Sequence, residues 1–136
     1  MSHSKNGGIA KAEKALAKIG GGQIERHIFI CAISDKQKCC KRAEGEAAWK
    51  FLKKRMKQLG LAGPRRDPAL GKGPGGFQRT KADCLQVCEQ GPIAVVWPDG
   101  IWYHSCDETA LERILQEHFV GGVPVEDYRL RPAVKE

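Results

Sequence analysis

The sequence predicts an α/β domain with a central mixed β-sheet of about four strands flanked by helices. Three observations predict it. The run His27-Ile28-Phe29-Ile30-Cys31-Ala32-Ile33 has the length and β-branched content of a buried strand, and a helix-period segment follows it over residues 44–59. Phe77-Gln78-Arg79-Thr80 then supplies a second strand, which completes a β-α-β order. Last, Ile93-Ala94-Val95-Val96-Trp97 and Ile101-Trp102-Tyr103-His104 flank the turn Pro98-Asp99-Gly100 as a hairpin, with another helix behind it.

Residues 1–25 contain a short Ala/Lys helix candidate, Ile9 to Ile19, released by Gly20-Gly21-Gly22. Only Ile9, Leu16 and Ile19 are large and apolar, so the segment reads as a flexible N-terminal arm of little burial. Glu25-Arg26 and Ser34-Asp35 bound the first strand. In the helix over 44–59, Trp49, Leu52, Met56 and Leu59 recur at spacings of three and four and form its apolar face. Lys50, Lys53, Lys54 and Lys57 take the other side, and Gly60 is placed to stop it. Residues 61–76, rich in Gly and Pro, read as a mobile loop. Asp107 is the expected N-cap of the last helix. Leu111, Ile114, Leu115 and Phe119 form its core face, and Gly121-Gly122 end it. The tail from Val123 folds back through Val125, Tyr128 and Leu130. Strand, helix, strand, hairpin and helix in that order is the thioredoxin arrangement; a ferredoxin-like α/β sandwich would need another strand pairing.

A chain of 136 residues is long enough for one core without disulfide staples. No apolar run approaches the roughly 20 residues that span a bilayer. The start lacks the apolar stretch of a secretory signal, so a cytoplasmic location is the default expectation. The net charge of +7 is unevenly placed: residues 50–81 hold ten Lys/Arg against Asp67 alone, whereas residues 82–136 hold ten acids against four bases. Such polarity suits docking to an acidic partner. The absence of aromatics interleaved with the basic residues argues against nucleic acid.

Cysteines stand at 31, 39, 40, 84, 88 and 106. Without a secretory start, metal binding or redox chemistry explains them better than disulfides. A two-iron cluster needs four ligands, two per iron, and thiolate is the usual one. Cys84 and Cys88 make one pair, four positions apart in one loop. Cys31 with Cys39 or Cys40 makes the other, the adjacent cysteines lying just ahead of a helix whose positive end favours thiolate. Lys81 adds a nearby cation. Zinc also accepts four thiolates, but its structural sites use tight pairs, and the upstream spacer here is seven or eight residues. A redox dithiol would usually be C-x-x-C, which the chain lacks. Cys106 reads as a small buried residue. From spacing alone, iron–sulfur, zinc, redox-thiol and core readings all stay open. His27, His104 and His118 stand at no ligand spacing from the cysteines and read as satisfied or surface histidines. Trp97 and Trp102 read as packing residues. Gly91-Pro92 either brings backbone N–H groups close to the sulfurs or, the favoured reading, simply ends the loop.

Several stretches together carry a resemblance. They are His27-Ile28-Phe29-Ile30-Cys31, Cys39-Cys40, Cys84-Leu85-Gln86-Val87-Cys88-Glu89-Gln90-Gly91-Pro92, the hairpin Val95 to Tyr103, and Glu117-His118-Phe119-Val120-Gly121-Gly122. Across about residues 26–130 the chain resembles the thioredoxin-like [2Fe-2S] ferredoxins, with wording closest to cyanobacterial members. The resemblance implies a thioredoxin-like domain over 26–130, a mobile extension over 1–25 and a tail over 131–136. It implies a single [2Fe-2S] cluster on Cys31, Cys40, Cys84 and Cys88, with Cys39 the alternative to Cys40. It further implies a one-electron carrier that turns over no substrate by itself. Redox proteins are its expected partners, acidic ones by the charge pattern, and homodimers involving the hairpin occur in the family. A zinc- or thiol-stabilised interaction module is the competing expectation from another class.

Overall fold

The computed structural model describes residues 7–31, 42–83, 85–87 and 89–133. Chain order is α1 (Gly7–Lys18), β1 (Arg26–Cys31), α2 (Arg42–Gln58), β2 (Phe77–Ala82), β3 (Ala94–Trp97), β4 (Ile101–Tyr103), α3 (Glu108–Arg113) and β5 (Arg129–Leu130). The five strands form one mixed sheet in the order β2-β1-β3-β4-β5. β1 and β2 run parallel, as a βαβ crossover requires, and the remaining pairs are antiparallel. The architecture is the expected thioredoxin-like one. β5 raises the strand count above the expected four. It is two residues long, so no alternation in the sequence could mark it, and it exists because the tail pairs Leu130 with Trp102 and Arg129 with Tyr103.

Alternation along the strands splits the sheet into two faces. Ile28 and Ile30, Ala94 and Val96, and Tyr103 are buried with Leu52 and Met56 of α2 and with Leu111, Ile114, Leu115 and Phe119. Full burial of Leu52 or Met56 contributes roughly 1.5–3 kcal/mol each. Phe77 at the start of β2 stacks on Phe119 with ring centroids 5.1 Å apart. The other face carries Phe29, Val95, Trp102 and Leu130, which follow one another in register across β1, β3, β4 and β5.

α3 starts as expected: the Asp107 side chain accepts from the Ala110 N–H at 3.0 Å. From Ile114 to Val120 the helix widens to π geometry. Its carbonyls are closed off by the N–H groups of Gly122 and Val123, with Gly122 in the left-handed region at φ +75°. α1 ends at Lys18, shortly before Gly20 turns the chain in left-handed backbone at φ +80°, and buries no residue of its own.

The loop over 61–76, expected to be mobile, is held at many points. The Arg66 guanidinium donates to the carbonyls of Gly60, Ala62, Gly73 and Lys72. Backbone hydrogen bonds join Gly75 to Gly60 and Gly76 to Gly63. The close approach needs glycine: a Cβ on Gly60 would lie 1.8 Å from the Lys72 carbonyl oxygen. Composition marked the loop; one arginine, whose role composition does not reveal, closes it.

Candidate metal centre

Cys31 ends β1 and is 1% exposed. Its N–H donates to the Ile93 carbonyl at 3.0 Å, and the Ile93 N–H returns a hydrogen bond to Cys31 Sγ at 3.1 Å. A backbone donor aimed at a buried sulfur favours the anionic form and so suits a metal-bound thiolate. The donor follows Gly91-Pro92 directly. The reading of that dipeptide as a device that brings an N–H to sulfur, the less favoured one from sequence, therefore describes Ile93, its next neighbour.

β2 brings the chain toward the second cysteine pair. Ala82 is the register partner of Cys31, so residue 84 comes two positions after the residue beside Cys31. Lys81, exposed, pairs in register with Ile30. The loop residues Gln86 and Gln90 adopt left-handed backbone, at φ +66° and +56°. Such conformations cost non-glycine residues of order 1–3 kcal/mol and persist only where the surroundings impose them. One such tie is visible, the Ser105 N–H donating to the Gln90 carbonyl at 2.7 Å.

Cys39, Cys40, Cys84 and Cys88 lie outside the described residues. Among the described residues, no group of three or more His, Cys, Asp or Glu side chains could hold a metal ion. The fit of a sulfur-bound cluster is therefore judged on Cys31, and there its burial and its backbone donor agree with it.

Cys106 is fully buried, as expected of a core residue. Burial, then the neighbouring Cys31 and Asp107, push its thiol pKa well up, so it stays protonated. Its closeness to Cys31 had no signal in the sequence. Both belong to one end of the sheet, where the Cys106 N–H also donates to the Pro92 carbonyl at 2.9 Å.

His27, His104 and His118 have partners elsewhere. His27 Nε2 lies 2.8 Å from Thr80 Oγ1, and its ring stacks on Phe29. His104 Nδ1 meets Ser105 Oγ at 2.9 Å. His118 is fully buried between Tyr103 and Asp99. Trp97 is 45% exposed at the end of β3, and Trp102 is half-buried in β4.

No helix among the described residues is long and apolar enough to cross a membrane. No protein-family model matches the chain. A curated relative, a 2Fe-2S ferredoxin of Aquifex aeolicus (strain VF5), is 29% identical over 110 residues, covering 74% of this chain and 85% of the relative. A 2Fe-2S ferredoxin of Clostridium pasteurianum is 40% identical over 43 residues, which is 32% of this chain and 42% of that protein. Among solved structures, that of a thioredoxin-like [2Fe-2S] ferredoxin from Aquifex aeolicus superposes with a TM-score of 0.61 at 24% identity, covering 79% of this chain and 92% of that one. The chain thus has the thioredoxin-like α/β fold, and its sequence is distantly similar to 2Fe-2S ferredoxins.

Proposed function

We propose that the chain is a one-electron carrier that holds a single [2Fe-2S] cluster through Cys31, Cys40, Cys84 and Cys88 and passes electrons between redox partner proteins. The observation that carries this reading is the buried Cys31 sulfur accepting the Ile93 N–H, beside Ala82 at the end of β2, which Cys84 follows by two positions in the sequence. Distant similarity to 2Fe-2S ferredoxins supports the cofactor. When bound, such a cluster supplies one-electron redox chemistry. The chain's own residues tune it: the Ile93 N–H stabilises negative charge on sulfur, Lys81 adds positive charge nearby, and the core around Cys31 excludes water.

The same reading takes residues 26–130 as the carrier domain, 1–25 as an extension and 131–136 as a tail, with a cytoplasmic location and a cyanobacterial-type sequence. It also includes a homodimer with the hairpin in the contact, supported by the 45% exposure of Trp97. Sedimentation of Trp97→Arg against the wild type tests that part, and a dimer of unchanged affinity would remove the hairpin from it.

Anaerobically purified protein should be red-brown, carry two irons per chain in the manner of a two-iron cluster, and bleach on dithionite. Cys40→Ser should lose or alter the cluster spectrum while Cys39→Ser keeps it; the reverse would make Cys39 the fourth ligand. A colourless, zinc-containing protein from iron-replete cells would replace the carrier by a zinc- or thiol-stabilised interaction module.

A further inference from the structure

The arginines of this protein divide sharply. Arg26, Arg42, Arg55, Arg65, Arg113, Arg129 and Arg131 each bond a carboxylate, and Arg66 bonds four carbonyls. Arg79 alone differs. Its Nε is shielded from solvent and has no hydrogen-bond partner among the described residues. Partial burial with no acid beside it lowers its pKa. A shielded Nε–H without an acceptor, on a guanidinium with no carboxylate bound to it among the described residues, is an unmet demand for an anion.

Its surroundings extend that demand into a surface. Arg79, Lys53 and Lys81 stand 5.9–6.0 Å from the ring of Trp49, which is half-buried on α2. Two adjoining depressions of about 520 and 560 Å³ share Lys50 and Lys53; one is lined also by Trp49 and Lys81, the other by Lys54, Lys57 and Arg79. The one acid that lines them among the described residues, Glu46, is already engaged by Arg42. The surface ends at Lys81, one residue before Ala82, which pairs with Cys31.

We propose that this α2–β2 face is the docking surface for a carboxylate-bearing face of a partner protein, with one carboxylate seated on Arg79 and others along Lys50, Lys53, Lys54 and Lys57. The proposal rests on the electron-carrier reading for the identity of the partner as a redox protein, and it names the surface that the partner covers. Charge complementarity selects an acidic occupant. A protein is favoured over a nucleic acid because Trp49, the one aromatic lining these depressions, is already faced by the protein's own cations, which leaves no platform for successive bases. The position beside Cys31 brings the partner to the sheet end that carries the proposed cluster.

The test uses the full-length protein and a fluorescently labelled peptide of about twelve residues rich in glutamate, titrated at low and at physiological salt. The expected result is saturable binding that weakens with salt. Arg79→Gln should weaken it about tenfold, and Lys53→Glu with Lys57→Glu should abolish it. Lys11→Glu with Lys14→Glu on α1 changes net charge as much as the second variant and should change affinity less than about twofold. Equal weakening by the α1 pair would reduce the effect to net charge and overturn the surface. Displacement of the peptide by a twelve-nucleotide single strand at far lower concentration would overturn the choice of partner. Absorbance and iron content of the same samples report the carrier reading separately. Local peptide binding by a colourless protein would keep the docking surface and remove the redox role, whereas a normal cluster without local binding would do the opposite.

Discussion

Buried His118 Nε2 lies 2.5 Å from Oδ2 of the partly exposed Asp99, and this contact ties the π-helical turn to the hairpin. The other ring nitrogen, Nδ1, is 2.8 Å from the Tyr103 hydroxyl, which accepts the Val125 N–H at 3.0 Å. A neutral imidazole satisfies every group: Nε2–H donates to Asp99 and Nδ1 accepts the phenol proton. Arg26 completes the cluster by donating to Asp99 and to the Phe119 carbonyl, both at 3.0 Å. Burial pushes the Tyr103 pKa up to about 12, so the phenol keeps its proton. Burial of Asp99 is outweighed by hydrogen bonds from His118 and Arg26, and its pKa is lowered.

The network predicts acid sensitivity of a definite sign. Burial lowers the His118 pKa below its ordinary 6.5, against a smaller opposing pull from Asp99. The unfolded chain therefore takes up a proton on this residue before the native one does. Stability is complete above about pH 6.5 and falls as the pH drops below it. His27, lowered by burial, adds in the same direction. His118→Gln should cost about 2–3 kcal/mol at pH 7, from broken buried hydrogen bonds, and should flatten the dependence between pH 6.5 and 5. Urea unfolding at several pH values checks it; an unchanged slope would exclude His118 as the group.

The two buried sulfurs separate by substitution. Cys31→Ala should lose the visible spectrum of the reconstituted protein. Cys106→Ala, which removes one small buried side chain, should keep that spectrum and lower stability by about 1 kcal/mol. Absorption after anaerobic reconstitution, read with a denaturation curve, distinguishes ligand from packing residue. Loss of the spectrum in a still-folded Cys106→Ala would move it into the site.

Arg55 of α2 forms two hydrogen bonds with Glu112 of α3, at 2.7 and 3.1 Å. The pair is about one-third exposed on each side, so solvent screens much of it. Arg55→Ala should lower stability only slightly, and the difference from wild type should shrink in concentrated salt. Parallel melts in low and high salt read it.

Gly60 and Gly71 both occupy left-handed backbone, at φ +66° and +73°. A Cβ at Gly71 would meet nothing within 4 Å, whereas at Gly60 it would collide with Lys72 and Gly73 backbone. Gly71→Ala should cost about 1–2 kcal/mol, the backbone penalty alone. Gly60→Ala should cost at least twice that, because two backbone segments must part. Equal costs in denaturant titrations would show that the loop opens freely at Gly60.

The strands, α2 and the Asp107 cap were legible because each has a local cause: β-branched runs, a three-four apolar period, a carboxylate at a helix start. β5 was not, because two residues carry no period and their pairing depends on where the tail lands. Charges were legible only as a sum. The ten basic residues over 50–81 look alike in sequence, yet Arg55, Arg65 and Arg66 are spent on Glu112, Glu25 and loop carbonyls, while the Arg79 Nε finds no partner among the described residues. Partners 40 and 57 positions away along the chain decide that division.

For the site, the sequence by itself determined which sulfurs are available and how they are spaced along the chain, and left iron–sulfur, zinc and redox-thiol chemistry all open to them. Only the tertiary structure decided that the Ile93 N–H meets Cys31 and that Cys106 lies beside it. It likewise joined His118 to Asp99 and Tyr103. Except where a turn brings near neighbours together, such contacts join residues from separate elements, and burial makes them strong by removing the water that would otherwise compete for each donor and acceptor.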